Sequence, residues 1–239
     1  METIPADIMT CAVHSIDSLG ADVFQVKLRL AEMPAQAHIA GQYLLLATET
    51  SEFYPFSIAS APQQLPELEL HILARDNKAV ELLQQLRETP MARVQLPMGD
   101  VHVDVLDSRP LLLIAAGTGL AQMHSMLDAA RLSKSNTAIH LYWGARTEDD
   151  FYQVASADLW RAMPNVRLHK IVSEDADWNG RSGLLYEAVC HDIRDFADWR
   201  VVASGSPTMV YATLDALVAA GMQEEQMQAD VFSYAPRPA

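Results

Sequence analysis

The sequence predicts two domains, an N-terminal antiparallel β-barrel followed by a doubly wound α/β domain with a five-stranded parallel sheet. Short strands fill the chain before residue 107. A glycine turn at residues 117–119 then separates an apolar run from a helical pattern. After that turn, strands and helices alternate, as they do in parallel sheets covered on both faces. We therefore predict domains at residues 1–106 and 107–239, each of ordinary domain length.

Six or seven short strands are predicted in the first domain. Apolar side chains at every second position mark three of them, at residues 24–30, 68–73 and 101–106, and this period places those side chains on one face of a sheet. The other candidates are residues 10–18, 42–48, 56–60 and 93–96. Their shortness and the prolines and glycines between them favour a small barrel.

One helix interrupts these strands, at residues 77–87. Val80, Leu83 and Leu86 recur at helical spacing and form its predicted buried side. Residues 106–109 are the predicted linker to the second domain.

The second domain opens with the apolar run of residues 111–115, which predicts a strand buried on both faces. Residues 120–130 follow as an amphipathic helix. Its predicted buried side is Leu120, Met123, Leu127 and Ala130. Further strands are predicted at residues 138–143, 166–172, 201–203 and 230–234, and further helices at 149–163, 184–191 and 207–220. The last helix has Ser206 as its N-cap, Pro207 at its first position and Gly221 just past its end.

Three predicted strand ends carry residues suited to a phosphate-bearing ligand. They are residues 117–119 with the sequence Gly-Thr-Gly, residues 144–146 with the sequence Gly-Ala-Arg, and residues 204–207. Ligands of parallel sheets bind at the carboxyl ends of the strands, and helix N-termini attract phosphates. Arg146 can hold a phosphate through two hydrogen bonds. Each segment could be an ordinary turn, but together at one sheet edge they predict a nucleotide site.

Residues 53–60 are unusual among the strands of the first domain. Pro55 lacks a backbone donor, which predicts that the segment lies at a sheet edge or bulge. An edge that cannot pair with another strand can face a ligand, to which Phe56 offers an aromatic surface and Ser57 a hydroxyl. The alternative is a proline-marked edge strand whose aromatic residues belong to the core.

Charge and composition restrict the partners. The net charge of −14 argues against nucleic acid and anionic membranes, because both require basic patches. No apolar run approaches the roughly 18 residues of a membrane span, and residues 1–9 lack a basic start, so we expect a cytoplasmic protein. The two cysteines, Cys11 and Cys190, are far apart and the eight histidines are scattered. We therefore expect no metal site and predict ordinary core or surface roles for the histidines.

Taken in order, these segments resemble the ferredoxin–NADP+ reductase superfamily, and within it the NAD(P)H:flavin oxidoreductases that reduce free flavins. Residues 54–60, with the sequence Tyr-Pro-Phe-Ser-Ile-Ala-Ser, resemble the flavin motif of that family. Residues 113–119 resemble its pyridine-nucleotide loop. Other matching segments are residues 41–44, 70–72, 78–80, 142–146, 178–183 and 230–234.

The resemblance implies hydride transfer from NADH or NADPH to a flavin, which is FMN, riboflavin or FAD. It implies that Ser57 is the catalytic residue, with a hydrogen bond near the flavin N5 that accepts the hydride. The implied flavin-binding residues are Tyr54, Pro55, Phe56, Ser57, His71, Ile72, Phe232 and Tyr234. The implied residues for NAD(P) are Gly117, Thr118, Gly119, Arg146, Gly205 and Pro207.

Two departures from the family pattern bear on the flavin. Tyr54 replaces the usual arginine that contacts flavin phosphate or ribityl groups, which predicts weaker binding of FMN and FAD than of riboflavin. The loop at residues 74–77 is short and offers nothing for an adenine tail, which predicts a flavin that exchanges as a substrate. The reduced flavin would then serve an oxygenase or ferric iron.

Two functions are alternatives to a free-flavin reductase. One is a reductase component that serves a separate iron–sulfur or oxygenase partner, and the other is a non-enzymatic descendant that binds a nucleotide.

Overall fold

The computed structural model describes residues 8–237 and contains two six-stranded sheets. Residues 1–7 and 238–239 lie outside the described residues. The first residues of the predicted N-terminal domain, the last residues of the predicted C-terminal domain and most of residues 1–9, which lack a basic start, therefore lie outside them too. The first sheet is antiparallel and the second is parallel, which confirms the predicted fold class. Within residues 8–237, no helix combines the length and apolarity that a bilayer span requires.

The first sheet is curled into a barrel. Its strands are β1 (Ile8–Gly20), β2 (Val23–Leu30), β3 (Tyr43–Ala47), β4 (Tyr54–Ser57), β5 (Glu67–Leu73) and β6 (Met91–Met98), and helix α1 (Asn77–Glu88) follows β5. The strand order is β4-β3-β6-β1-β2-β5. Alternation directs Val26, Leu28 and Leu30 of β2 into the core. Ala59, just past β4, donates its backbone N–H to the carbonyl oxygen of Glu69 at 2.7 Å, which joins the two edges of the sheet.

Two predictions for this half are wrong. Residues 101–106 are not a strand, although their three valines are buried. These valines pack into the core of the second domain. The alternation of apolar and polar residues therefore reflects their burial and not pairing in a sheet. Val80 is 48% exposed, because the buried face of α1 runs through Leu82, Leu83 and Leu86. The boundary at residues 106 and 107 stays a prediction.

The second sheet is parallel and has helices on both faces. Its strands are β7 (Leu111–Ala116), β8 (Ile139–Ala145), β9 (Val166–Val172), β10 (Arg181–Ser182), β11 (Arg200–Ser204) and β12 (Met227–Gln228). The helices are α2 (Leu120–Leu132), α3 (Ala157–Arg161), α4 (Leu185–Asp192), α5 (Pro207–Ala219) and α6 (Val231–Tyr234). The strand order β10-β9-β8-β7-β11-β12 changes direction at β7. A crevice therefore opens beyond the carboxyl end of β7, where open α/β sheets bind ligands.

Two elements of this half differ from the prediction. Residues 230–234 do not form a strand, because Val231–Tyr234 is the short helix α6. The edge strand of the parallel sheet beside β11 is β12 instead. The sheet consequently has six strands, two of them only two residues long. The predicted helix at residues 149–163 is only α3, because Thr147 and Asp150 close a 3₁₀ turn and the chain then runs irregularly to Ser156. The N-cap is confirmed, as the Ser206 side chain accepts from the N–H of Met209.

Helix α2 is buried on every side rather than amphipathic. All residues from Leu120 to Ala130 are buried. One side packs on the parallel sheet, and the other meets the segment after β4, where Ser125 Oγ donates to the carbonyl oxygen of Ser60 at 2.8 Å. The expectation of a solvent-facing side was wrong because the barrel covers it. Helix α2 thus connects the glycine turn directly to the barrel.

Candidate active site

A cleft lies between the barrel and the parallel sheet, at the carboxyl end of β7. Its inner part has a volume of about 360 Å³ and its outer part about 570 Å³. Both parts include Ala116, Gly117 and Thr118, so they form one continuous space. The sequence-predicted residues that line the inner part are Pro55, Phe56, Ser57, His71, Gly117, Thr118, Gly119 and Gly205. The structure thereby brings the Pro-Phe-Ser segment and the glycine turn to opposite walls of one cavity.

The barrel wall of the cleft is formed by β4. Among residues 8–237 this strand pairs only with β3, opposite Leu45 at Pro55 and opposite Tyr43 at Ser57, so it is an edge strand as predicted. Pro55 itself has no backbone N–H to donate to a further strand. Phe56 and Ser57 are half-buried, and Phe56 also packs against the barrel core. The wall therefore offers an aromatic surface and a hydroxyl to a ligand.

The opposite wall is the glycine turn between β7 and α2. Gly117 has a φ of +54°, a conformation that glycine adopts without strain. The indole Nε1 of Trp143 donates to the carbonyl oxygen of Gly117 at 3.2 Å and fixes the turn. A Cβ at position 119 would lie only 2.2 Å from the carbonyl oxygen of Ser204, at the end of β11. Gly119 is therefore required because two strand ends meet there.

The outer part of the cleft carries charged groups at its rim. Arg146 lines it and donates to Glu174 Oε2 from Nη2 at 2.8 Å and from Nε at 3.0 Å. This hydrogen bonding raises the pKa of the Arg146 guanidinium. Arg75 reaches the same space from the barrel and donates to Asp150 at 2.8 Å. Both cations already have carboxylate partners, so an incoming phosphate must compete with Glu174 and Asp150.

Five predicted site residues do not line either part of the cleft. Ile72 is buried in the barrel core, and Tyr54 packs against the same core. Phe232 packs near Tyr211, with ring centroids 5.6 Å apart, and Tyr234 is 67% exposed. Pro207 begins α5 beside the cleft. Their binding roles stay predictions.

A buried polar network behind the inner wall escaped the sequence analysis. His71 Nε2 lies 2.9 Å from Glu69 Oε1, and His71 Nδ1 lies 3.0 Å from the hydroxyl of Tyr152. Burial alone would raise the pKa of Glu69, but the hydrogen bond from His71 and the nearby imidazole of His124 outweigh it and lower that pKa to about 2. The residues of the second contact are 81 positions apart. No local spacing signals such a pair, and the sequence places His71 in the site only as an implied flavin-binding residue.

Further hydrogen bonds join the barrel to α2. His124 Nδ1 lies 2.7 Å from the carbonyl oxygen of Ala59, and Gln122 Nε2 donates to the carbonyl oxygen of Gly41 at 2.7 Å. Gln122 also donates to Asp230 at 2.9 Å, and burial together with the charge of Asp100 raises the pKa of Asp230. These contacts fix the position of one cleft wall relative to the other.

The cleft residues fit a flat aromatic ring with polar edges. Phe56 supplies an apolar face, Ser57 supplies a donor or acceptor, and the glycines permit close approach of the backbone. Between β5 and α1 the chain has only residues 74–76, and Asp76 is already the N-cap of α1. That segment leaves no loop to hold an adenine tail.

Comparison with known proteins gives concordant results. Residues 113–215 match the family model described as an oxidoreductase NAD-binding domain. The chain is 33% identical over 234 residues to an NAD(P)H-flavin reductase of Vibrio harveyi, covering 94% of this chain and 98% of that protein. It is 29% identical to a CDP-6-deoxy-L-threo-D-glycero-4-hexulose-3-dehydrase reductase of Yersinia pestis, covering 93% of this chain and 68% of that protein. Its structure is similar to that of an Amycolatopsis cytochrome P450 reductase, with a TM-score of 0.84, 26% identity, and coverage of 95% of this chain and 70% of that one.

Proposed function

Because this chain belongs to the NAD(P)H-flavin reductases of the ferredoxin–NADP+ reductase superfamily, we propose that it transfers a hydride from a nicotinamide to a flavin that exchanges as a substrate. The family makes it an oxidoreductase that uses flavin and NAD(P)H. The observation that carries the proposal is the single cavity between Phe56-Ser57 and Gly117-Thr118. Membership of this enzyme family argues against the alternative of a non-enzymatic protein that only binds a nucleotide.

The two ring systems supply the redox chemistry when they are bound, and the protein's task is to hold them in contact. Hydride transfer is fast when the reacting atoms are held about 3–3.5 Å apart. In our proposal Phe56 forms the apolar floor of the flavin site, and Ser57 donates a hydrogen bond at the ring edge. Gly117 and Gly119 admit the nicotinamide from the opposite wall, with Gly205 at its border. Burial of the rings between these walls keeps water away from the transferred hydride.

Two features support exchange of the flavin. The short segment at residues 74–76 offers no adenine site. Tyr54 packs on the barrel core in place of a cation at the cleft, so the phosphate of FMN gains no charge partner from this position. We therefore propose that riboflavin binds at least as tightly as FMN or FAD. A Kd for FMN clearly below that for riboflavin would contradict this selectivity.

The rim of the outer cleft supports NADH as the reductant. Glu174 already pairs with Arg146, and Asp175 is its neighbour in sequence. A 2′-phosphate placed there would bring further negative charge beside these carboxylates and would have to displace Glu174 from Arg146. We propose that NADH is used in preference to NADPH.

A second candidate is electron delivery to a separate protein. The likeness to a cytochrome P450 reductase favours it, although the matched region is 70% of that reductase. Flavin retention separates the two candidates, since an electron-delivering reductase keeps its flavin through gel filtration. A colourless protein that reduces added flavin supports the free-flavin proposal.

The direct test is steady-state oxidation of NADH and NADPH with riboflavin, FMN and FAD in turn. One hydrogen bond contributes about 1 kcal/mol, so Ser57→Ala should lower kcat about five- to tenfold without abolishing it. An unchanged kcat at saturating flavin would discard the proposed role of Ser57. Absence of flavin-dependent oxidation of either nucleotide would discard the proposed function.

A further inference from the structure

Three metal-ligating side chains from both halves of the molecule meet behind the cleft. Glu69 and His71 lie on β5, and His124 lies on α2. One donor atom from each residue lies within 4.8 Å of the other two. We propose that Glu69, His71 and His124 form a site for one zinc ion that bridges the barrel and the parallel sheet.

Each imidazole has one nitrogen in a hydrogen bond to a residue outside the cluster, which leaves its other nitrogen for the ion. His124 Nδ1 lies 2.7 Å from the carbonyl oxygen of Ala59, and because a carbonyl only accepts, Nδ1 carries the proton. The lone pair of neutral His124 is therefore on Nε2. His71 Nδ1 contacts the Tyr152 hydroxyl, which leaves Nε2 directed at Glu69. A polar partner behind each imidazole is the usual arrangement for histidines that bind metals.

The donor set distinguishes zinc from calcium and magnesium. Two imidazoles and one carboxylate suit zinc, whereas calcium and magnesium require mainly oxygen ligands. Zinc binds nitrogen and oxygen at about 2.0–2.2 Å, so tetrahedral ligands stand roughly 3.3 Å apart. Glu69 Oε1 and His71 Nε2 are 2.9 Å apart and need to separate slightly, while the other pairs need to close from at most 4.8 Å.

Access and charge also agree with a metal site. The His71 side chain is 1% exposed, but that of Glu69 is 15% exposed and gives the ion an entry. The Glu69 carboxylate supplies negative charge, and water can occupy the fourth position. To bind the ion through Nε2 as a neutral imidazole, His71 carries its proton on Nδ1, where the Tyr152 hydroxyl accepts it, and any proton on Nε2 is released to solvent.

The ion would connect β5 to α2 and so hold the two cleft walls together. An ion that binds only the folded state stabilises that state, so the thermal midpoint should rise with zinc concentration and return on chelation. Both effects are measured without flavin or nucleotide. The zinc proposal therefore stands or fails independently of the proposed function.

The test is titration of chelator-treated protein with Zn²⁺ by calorimetry and with Co²⁺ by visible absorption. We expect one equivalent of each ion, with the absorption bands of tetrahedral cobalt. Loss of a ligand in His124→Gln or Glu69→Gln should weaken binding at least about 100-fold, with unchanged circular dichroism. His191→Gln is the control, because the His191 side chain is 75% exposed, and it should bind as wild type.

Two results would overturn the proposal. One is the absence of saturable one-to-one binding of either ion. The other is binding of equal strength in wild type and His124→Gln, which would place the ion elsewhere. Should one ligand variant fail to fold, the second variant still decides between these outcomes.

Discussion

Replacement of Gly119 by alanine is the perturbation whose effect the structure defines best. The added Cβ would lie 2.2 Å from the Ser204 carbonyl oxygen, 2.6 Å from its carbonyl carbon and 3.1 Å from its Cβ. Ordinary contact begins at 3.4 Å, so the glycine turn and the end of β11 must separate by about 1 Å. The backbone of Gly119 is itself helical, with a φ of −55°, so the effect is steric and not conformational.

The separation acts on both stability and turnover. Overpacking of this kind costs about 1–3 kcal/mol of folding free energy. A displacement of about 1 Å between groups that position a reaction can lower the rate roughly 100-fold. We therefore expect kcat/KM for NADH, measured with saturating riboflavin, to fall about 100-fold in Gly119→Ala, equivalent to about 2.7 kcal/mol.

The matched control is Gly221→Ala, beyond the end of α5. Gly221 has a φ of +102° and an added Cβ would meet nothing within 4 Å, so alanine there should cost about 1–2 kcal/mol of stability without a clash. Its kcat/KM should equal that of wild type. A Gly119→Ala enzyme with kcat/KM within about twofold of wild type would refute the reasoning that the two strand ends form the nucleotide wall.

Three further predictions concern nucleotide choice, flavin choice and pH. Glu174→Gln removes the carboxylate that pairs with Arg146 and so frees this guanidinium for a 2′-phosphate. The value of kcat/KM for NADPH should then rise about tenfold, while kcat/KM for NADH changes little. An unchanged ratio of the two kcat/KM values would count against this role of Glu174. Tyr54→Arg should lower the Kd of FMN about tenfold and leave that of riboflavin unchanged in fluorescence titrations; an equal effect on both would exclude a phosphate contact. Burial lowers the pKa of His38 from 6.5 to about 4, so its protonation favours the unfolded state and stability is lost as pH falls from 6.5 towards 4. Urea melts should show a loss of roughly 3 kcal/mol across that window that is absent in His38→Gln, and parallel pH profiles would contradict it.

The sequence predicts the elements whose evidence is local. Alternation in β2 and β5, the apolar run of β7 and the cap at Ser206 are each set by neighbouring residues, and the structure contains all of them. The three strand ends could be placed together because parallel strands share one carboxyl edge. The walls of the inner cavity follow from that rule and from the unpaired edge at Pro55.

The errors arise where contacts between distant segments decide the structure. The valines of residues 101–106 alternate because they pack into the second domain, not because they pair in a sheet. Helix α2 lacks an exposed side because the barrel covers it. The contact of His71 with Tyr152, and its proximity to His124, depend on docking of the two halves. No period or spacing in the sequence encodes that docking, which is why the histidine cluster was missed.

Anaerobic mixing of stoichiometric NADH with riboflavin tests the central claim most directly, because it follows both reactants without oxygen as a competing acceptor. One flavin should be reduced for each NADH oxidised, and ultrafiltration should recover the reduced flavin in the filtrate. Failure to oxidise NADH, or reduced flavin that remains wholly with the protein, would contradict transfer to an exchangeable flavin across this cleft.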